Sequence, residues 1–380
     1  MTKLTYITNV RMPTEKAHGI QIARMCEAFG TAGIDLELVV PRRKGTNPES
    51  AYAFYGIKNN FKIRPLWCID IVEKVPWFGY WLQLATFTLS VLVRYTFASR
   101  TASRLYTREF MLAVLLRRLG YDVVYESHRI LLKKKLFFGL LRGVNRIITN
   151  SRGVAEEFKA NGFKDVLPLP NGIDLAEFDL KQSKAELRRE LGWVESDRIA
   201  LYTGYLYKWK GIDTLMAAGE LISKTGSSFK LVILGGSVAD VKTYSDIARE
   251  KGMIKMEFLG HKDRKVMPKY MKAADVLLLP NSAVSEESVK YTSPIKLFEY
   301  MASRVPIVAS DMPSIREIVS DESAVLVKPD DAAALVAGIE KTLADEAESK
   351  VRAEKAYQDV TELTWDGRAA KTLDFIGLRA

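Results

Sequence analysis

Six short apolar runs recur between residues 198 and 329: "RIALYTGYL", "FKLVILGG", "KMEFLG", "DVLLLP", "PIVAS" and "AVLVKP". Segments with helical spacing lie among them, including "GIDTLMAAGELISKTG", "KVMPKYMKAA" and "SPIKLFEYMASR". The runs show little apolar–polar alternation, as expected of strands covered on both faces. Strands separated by helices cannot form tight hairpins, and they pair in parallel. The pattern predicts a parallel sheet with helices on both sides.

The first half repeats the rhythm less clearly. "KLTYITNV", "DLELVVP", "DVVYESH" and "RIITNS" read as strands, and "GIQIARMCEAFGTAG" reads as a helix closed by Gly33. Pro168, Pro170, Asn171 and Gly172 cluster in "VLPLPNGIDLAEF", which reads as a domain linker. From Asp331 onward the spacing is helical, interrupted near Thr364. The expected architecture is α/β: two doubly wound domains, residues 1–170 and 171–360, facing each other across a cleft. In such sheets ligands bind outside the carboxyl ends of the strands.

Neither half has a G-x-G-x-x-G turn after its first strand, and neither has the G-x-x-x-x-G-K-[ST] phosphate loop. This weighs against a dehydrogenase and a nucleotide hydrolase. Gly235 and Gly236 follow a strand. They fit either a close approach to phosphate or a plain turn.

The segment "SPIKLFEYM" poses an electrostatic problem. Ser293 reads as a helix cap and Pro294 as the first helical residue. Lys296 then falls in the first turn, where free N–H groups and the helix dipole already present positive charge. An anion bound at the helix start resolves the conflict. Glu299 lies three residues on, on the same face, where a carboxylate can accept hydrogen bonds from sugar hydroxyls. The competing reading is a surface Lys296–Glu299 pair, in the weaker orientation and worth about 0.2–0.5 kcal/mol. The site reading is favoured.

Charge also points to an anionic partner. The chain of 380 residues carries a net charge of +10. Residues 1–170 hold 26 Lys+Arg and 13 Asp+Glu, a balance of +13, and the remainder is −3. Nucleic acid, anionic lipid and phosphorylated substrates all fit such asymmetry. Two cysteines, Cys26 and Cys68, make no disulfide framework, so a reducing compartment is expected. The opening residues lack a long apolar core, and no run nears the roughly 20 apolar residues of a membrane span. No D-x-D motif is present, and His18, His128 and His261 are too dispersed to suggest a metal centre.

"SPIKLFEYMASRVPIVASDMPSIREIV" resembles the nucleotide-sugar motif of glycosyltransferase family 4, enzymes of the GT-B fold. "EKAHGIQIARMCEAFGTAGIDLELV", "NGIDLAEF", "YTGYLYKWKGIDTLMAA" and "WDGRAAKTLDF" are similar to further family segments in the same order. The resemblance covers most of the chain and is weakest over residues 50–105. It implies two Rossmann-like domains, the first binding the acceptor and the second the donor, with a helix over 361–380 returning to the first. It implies retaining transfer of a sugar from a nucleotide diphosphate donor, with no metal and no cofactor beyond that substrate. By the same resemblance Glu299 binds the ribose, and Pro294, Ile295, Lys296 and Leu297 surround the phosphates. Lys210 contacts the diphosphate, Gly19 lets backbone approach the donor, and His128 lies near the donor sugar. The chain departs from the family pattern at Tyr291, where a second glutamate is common, and at Tyr205, where an arginine is common.

The acceptor implied is a glycan or a lipid-linked molecule, with a role in cell-envelope polysaccharide synthesis. "RILLKKKLFFGLLRGVNRI", residues 129–147, sets Leu131, Leu132, Leu136 and Leu140 against Lys and Arg. It fits an amphipathic helix on an anionic membrane surface, or an internal helix with a solvated basic face. The chain is therefore expected in the cytoplasm, with the inner face of the membrane as a peripheral site. A sugar-nucleotide epimerase or a phosphorylase of the same fold is an alternative. Nucleic acid is not expected, because the aromatic residues of the basic half sit in apolar runs.

Overall fold

The computed structural model describes residues 3–98, 104–131 and 133–378. The chain divides into two compact units, Met1–Gly172 with Trp365–Ala380, and Ile173–Thr364. Each is built on a parallel sheet.

The first unit contains β1 (Lys3–Ile7), β2 (Asp35–Pro41), β3 (Lys62–Leu66), β4 (Arg104–Thr107), β5 (Val123–Ser127), β6 (Arg146–Thr149) and β7 (Asp165–Pro168). Their order is β3-β2-β1-β4-β5-β6-β7. The sequence reading placed four of these strands and missed three. β3 contains Pro65, which a strand tolerates at a sheet edge, where a missing donor breaks no ladder. β4 and β7 have only four residues each. β7 lies in the segment expected to be linker, but it pairs with β6 residue for residue.

The second unit contains β8 (Ile199–Thr203), β9 (Lys230–Leu234), β10 (Met256–Gly260), β11 (Val276–Leu279), β12 (Ile307–Ser310) and β13 (Val325–Val327), in the order β10-β9-β8-β11-β12-β13. These are the six expected runs. Both sheets reverse direction of growth at their first strand, at β1/β4 and at β8/β11. A crevice at the carboxyl ends of the strands follows from that switch.

The helical tail is three helices, Ala332–Ala344, Glu346–Thr361 and Trp365–Phe375. The last begins at Trp365, not at 361, because Thr364 is held in a bridge with Ile173. Trp365, Ala369 and Leu373 enter the core of the first unit with Ile22, Cys26 and Phe29 of the helix Ala17–Thr31. Arg368, on the same turns, is buried. It donates to the Glu126 carboxylate at 2.8 Å and to the Pro170 carbonyl at 3.0 Å.

The segment 129–147 is not one helix. The helix there is Lys134–Leu141, eight residues long, and Leu131 precedes it. Leu132 lies outside the described residues. Phe137, Phe138 and Leu141 form its buried face. Phe137 and Phe138 pack with Phe110, Phe158 and Phe163. The expected leucine stripe is therefore not the packed face, because larger aromatic side chains at neighbouring positions fill the core. Among the described residues, no helix is long and apolar enough to cross a membrane.

Removing the Arg368 guanidinium leaves Glu126 ionised and buried. Arg368→Ala should lower stability by about 3–5 kcal/mol in urea unfolding, and a loss under 1 kcal/mol would mean that Glu126 is solvated or protonated instead.

Candidate functional site

In the second unit the site forms at the β8/β11 switch. β8 is followed directly by Gly204, whose φ of +129° few L side chains adopt. A Cβ there would lie 2.8 Å from the Lys296 Nζ. The turn Lys208–Lys210 follows, closed by Gly211 at φ +85°. A Cβ on Gly211 would meet the Pro280 carbonyl oxygen, just past β11, at 1.8 Å. The close approach of these two loops thus depends on glycine. Gly235, at φ +125°, packs on Gly204 in the same way, with its notional Cβ 2.3 Å from the Gly204 carbonyl oxygen. Gly236 is also left-handed and packs on Leu206. Local packing accounts for both glycines.

The helix Ile295–Ala302 starts one residue later than expected. Pro294 is its cap, in extended conformation and without a side-chain cap hydrogen bond. Ser293 is not the cap. The N–H of Leu297 already donates to the Pro294 carbonyl, and the Leu297 side chain is fully buried in the apolar core. Leu297 is therefore a packing residue. The N–H groups of Ile295 and Lys296 remain at the open first turn.

Lys296 is the unusual residue. Its Nζ is enclosed, has no hydrogen-bond partner among the described residues, and lies 4.0 Å from the centre of the Tyr202 ring. Burial and then repulsion by Lys210 hold its pKa well below the ordinary lysine range, against an opposing pull from Glu299. Lys210 is also shifted down by burial. Its Nζ lies 5.5, 5.7 and 5.1 Å from the ring centres of Tyr205, Tyr207 and Trp209. Glu299 is pushed up by burial, partly offset by Arg264, whose guanidinium is 3.8 Å away. Arg264 also binds Glu177 at 3.3 Å. The arrangement offers two cations short of counter-charge, two open N–H groups and one carboxylate. That set suits a ligand with phosphates at one end and hydroxyls at the other.

Tyr205 and Tyr207 stack with ring centres 5.4 Å apart, so the expected arginine position is occupied by half of an aromatic pair. Tyr291 is buried in the turn Glu287–Tyr291. Glu286 pairs with Lys290 at 3.3 Å. A cavity of about 530 Å³ opens elsewhere in this unit, lined by Arg198, Asp275, Arg304 and Pro306 at the amino ends of β8, β11 and β12. The site chemistry is at the opposite, carboxyl ends.

In the first unit, Gly19 is in the first turn of the helix Ala17–Thr31 rather than in a loop. A Cβ on it would meet the Tyr55 hydroxyl at 2.4 Å, so internal packing already requires glycine. His128 follows β5. Its Nε2 lies 2.6 Å from Glu126 and its Nδ1 2.8 Å from Arg108. A guanidinium only donates, so Nδ1 accepts and Nε2–H donates to the carboxylate. Burial and Arg108 lower the His128 pKa to about 4, and similar causes lower His18 to about 4. Both ring nitrogens of His128 are engaged by protein. Arg108 bridges it to Gln21 at 3.2 Å.

Residues 183–359 match the family of glycosyl transferases group 1. An uncharacterized glycosyltransferase of Methanocaldococcus jannaschii is 30% identical over 60% of this chain and 59% of its own length. TuaC of Bacillus subtilis, named for teichuronic acid biosynthesis, is 24% identical over 98% of this chain and 97% of its own. The match to the phosphatidyl-myo-inositol mannosyltransferase of Mycolicibacterium smegmatis, at 26% identity over 63% of this chain, spans 59% of that protein. The chain thus spans less than two thirds of two of these relatives. Among solved structures, HepE of Anabaena in complex with UDP superposes with a TM-score of 0.76 at 15% identity, over 99% of this chain and 100% of that one. Sucrose-phosphate synthase from Thermosynechococcus elongatus gives 0.78 at 18% identity, over 99% and 98%. The two α/β units match GT-B glycosyltransferase structures in fold.

The matched region contains Lys210, Gly235, Gly236, Pro294, Ile295, Lys296, Leu297 and Glu299. The structure brings Lys210, Lys296 and Glu299 together electrostatically. Gly19 and His128 belong to the other unit. Sequence reasoning missed Gly204, Arg264, Glu177 and Tyr202 around Glu299 and Lys296. Only Gly204 carried a local signal, a glycine directly after a strand. Tyr202 lies on β8 itself, and Arg264 and Glu177 reach the site from remote turns.

Two measurements test this geometry. Lys296→Met keeps the length of the side chain and removes a buried, unpartnered charge. The variant should be more stable than the parent when empty, yet bind nucleoside diphosphate poorly. Because the folded pKa of Lys296 is depressed, the unfolded chain holds more protons, and parent stability should rise with pH up to the ordinary lysine range. The variant should lose that slope in denaturant titrations. Separately, His128 ring signals in NMR should stay flat between pH 5 and 8. A midpoint near the ordinary histidine value would contradict the Glu126–His128–Arg108 arrangement.

Proposed function

We propose that this chain is a retaining, metal-independent glycosyltransferase that moves a sugar from a nucleotide diphosphate sugar to a glycan or lipid-linked acceptor. The observation that carries the reading is the enclosed, unpartnered Lys296 Nζ beside Lys210 and Glu299. A diphosphate supplies the missing counter-charge. UDP bound to HepE of Anabaena supports a nucleotide diphosphate as the ligand class.

In this reading Glu299 accepts hydrogen bonds from the ribose hydroxyls. Lys296 and the N–H groups of Ile295 and Lys296 hold the phosphates. Lys210 adds charge as the leaving diphosphate develops its own. Cations already in place need little rearrangement at that moment, and they fill the role that a divalent metal has elsewhere. Departure of the diphosphate and attack of the acceptor hydroxyl take place on the same face of the sugar, and the departing phosphate receives the acceptor proton. His128, neutral and fixed by Glu126 and Arg108, keeps one ring orientation rather than exchanging protons.

A thermal-shift screen of UDP, GDP and ADP with their sugars should give one clear stabilising nucleotide. Glu299→Gln should weaken that nucleotide by about 1.5–3 kcal/mol through loss of charge-assisted hydrogen bonds. Lys210→Ala should lower turnover more than binding, and activity should persist in EDTA. No stabilisation by any nucleoside diphosphate, or a strict divalent-metal requirement, would overturn the reading. Release of an altered free nucleotide sugar without acceptor would select an epimerase instead.

A further inference from the structure

The helix Pro76–Thr96 has two apolar seams. Its inner seam, Gly79, Gln83, Phe87, Val91 and Tyr95, is buried. It is firmly seated: a Cβ on Gly79 would meet the Ile71 backbone at 2.8 Å, and Gln83 exchanges hydrogen bonds with Asn9. The outer seam repeats every four residues: Trp77, Trp81, Ala85, Leu89, Val93 and Phe97. Trp77 is 76% exposed, Trp81 53%, Leu89 57% and Phe97 88%. Phe78 and Tyr80 are exposed beside the first turn, and Trp67 adjoins the helix through its carbonyl, which accepts from Ser90 at 2.7 Å. Over residues 75–97 the one charged side chain is Arg94, which Glu37 holds at 3.2 Å. Soluble proteins rarely leave such a face uncovered.

We infer that the outer face of the helix Pro76–Thr96 docks on an anionic lipid surface, with the helix lying along the membrane. Three observations choose lipid over a second copy of the chain. First, the exposed Trp77, Tyr80 and Trp81 cluster at the first turns of the helix, and such rings favour the polar–apolar boundary of a bilayer. Second, residues 1–170 carry a balance of +13, and Lys74, two residues before the helix, is exposed. That charge attracts anionic headgroups and repels another copy. Third, a helix of 21 residues is about 31 Å long, and a stripe of about 10 Å width offers ~300 Å². A stable protein interface needs about 800 Å² per partner. A lipid surface has no such threshold, because each inserted side chain contributes separately. The inference does not depend on the catalytic reading, and it places lipid contact on a different helix from Lys134–Leu141.

Co-sedimentation with vesicles of phosphatidylcholine, with and without phosphatidylglycerol, tests it. The parent should bind the anionic vesicles more tightly at low salt. Brominated lipid should quench its tryptophan fluorescence. Trp81→Glu combined with Leu89→Glu should reduce vesicle affinity more than about tenfold, with the thermal midpoint and circular dichroism unchanged because both residues face outward. Failure of the parent to bind anionic vesicles would overturn the inference. So would unchanged affinity in the double variant, or a parent dimer that the variant converts to monomer while vesicle binding persists.

Discussion

A lysine ammonium enclosed without a partner is the constraint around which the second unit is arranged. Taking a cation out of water is expensive unless a counter-charge meets it. Here the neighbours make that cost bearable without removing it. Tyr202 offers a ring face at 4.0 Å, and Gly204 leaves room that any side chain would take. Glu299 is close enough to bias the charge but is itself held by Arg264. The site therefore keeps an excess of positive charge around Lys296 and Lys210. Preorganised charge of this kind needs no rearrangement when a diphosphate binds or leaves.

The first unit solves a similar problem in the opposite way. Glu126 is buried, but it is fully paired: Arg368, His128 and Tyr106 all direct hydrogen bonds to it. Arg368 arrives on the final helix, more than two hundred residues along the chain. One carboxylate therefore ties the C-terminal helix to the sheet and also fixes the orientation of the His128 ring. The charge that is left over in this region is on Arg108, whose partners Gln21 and His128 are both neutral. The family resemblance places His128 near the donor sugar, whereas its place after a strand also suits a structural histidine. Its ring nitrogens are occupied, and Arg108 carries the charge.

Legibility in the sequence followed burial. The six strands of the second unit could be read directly, because β8, β9, β11 and β12 are almost wholly buried and apolar and the edge strands β10 and β13 are still mostly apolar. The strand β3 could not, since Pro65 is tolerated only by an edge that local sequence does not announce. The helix around Lys296 and Glu299 was recognisable because its charge placement defied the helix dipole. Arg264, Glu177 and Tyr202 were not, because nothing in their own segments marks them. Residues 129–147 show a further failure. A leucine stripe suggested one long amphipathic face, but Phe137 and Phe138 fit the core better and shortened the helix to eight residues.

The sequence by itself determined two parallel α/β units, the basic excess of the first half and the cation in the first helical turn at Lys296. These are properties of periodicity and of formal charge, which need no knowledge of neighbours. Tertiary structure alone decided which charges are compensated. Lys296 and Glu126 are both buried ionisable groups, and no local pattern distinguishes them. The difference lies in what the folded chain brings within hydrogen-bond reach: an arginine for one, and only an aromatic ring for the other.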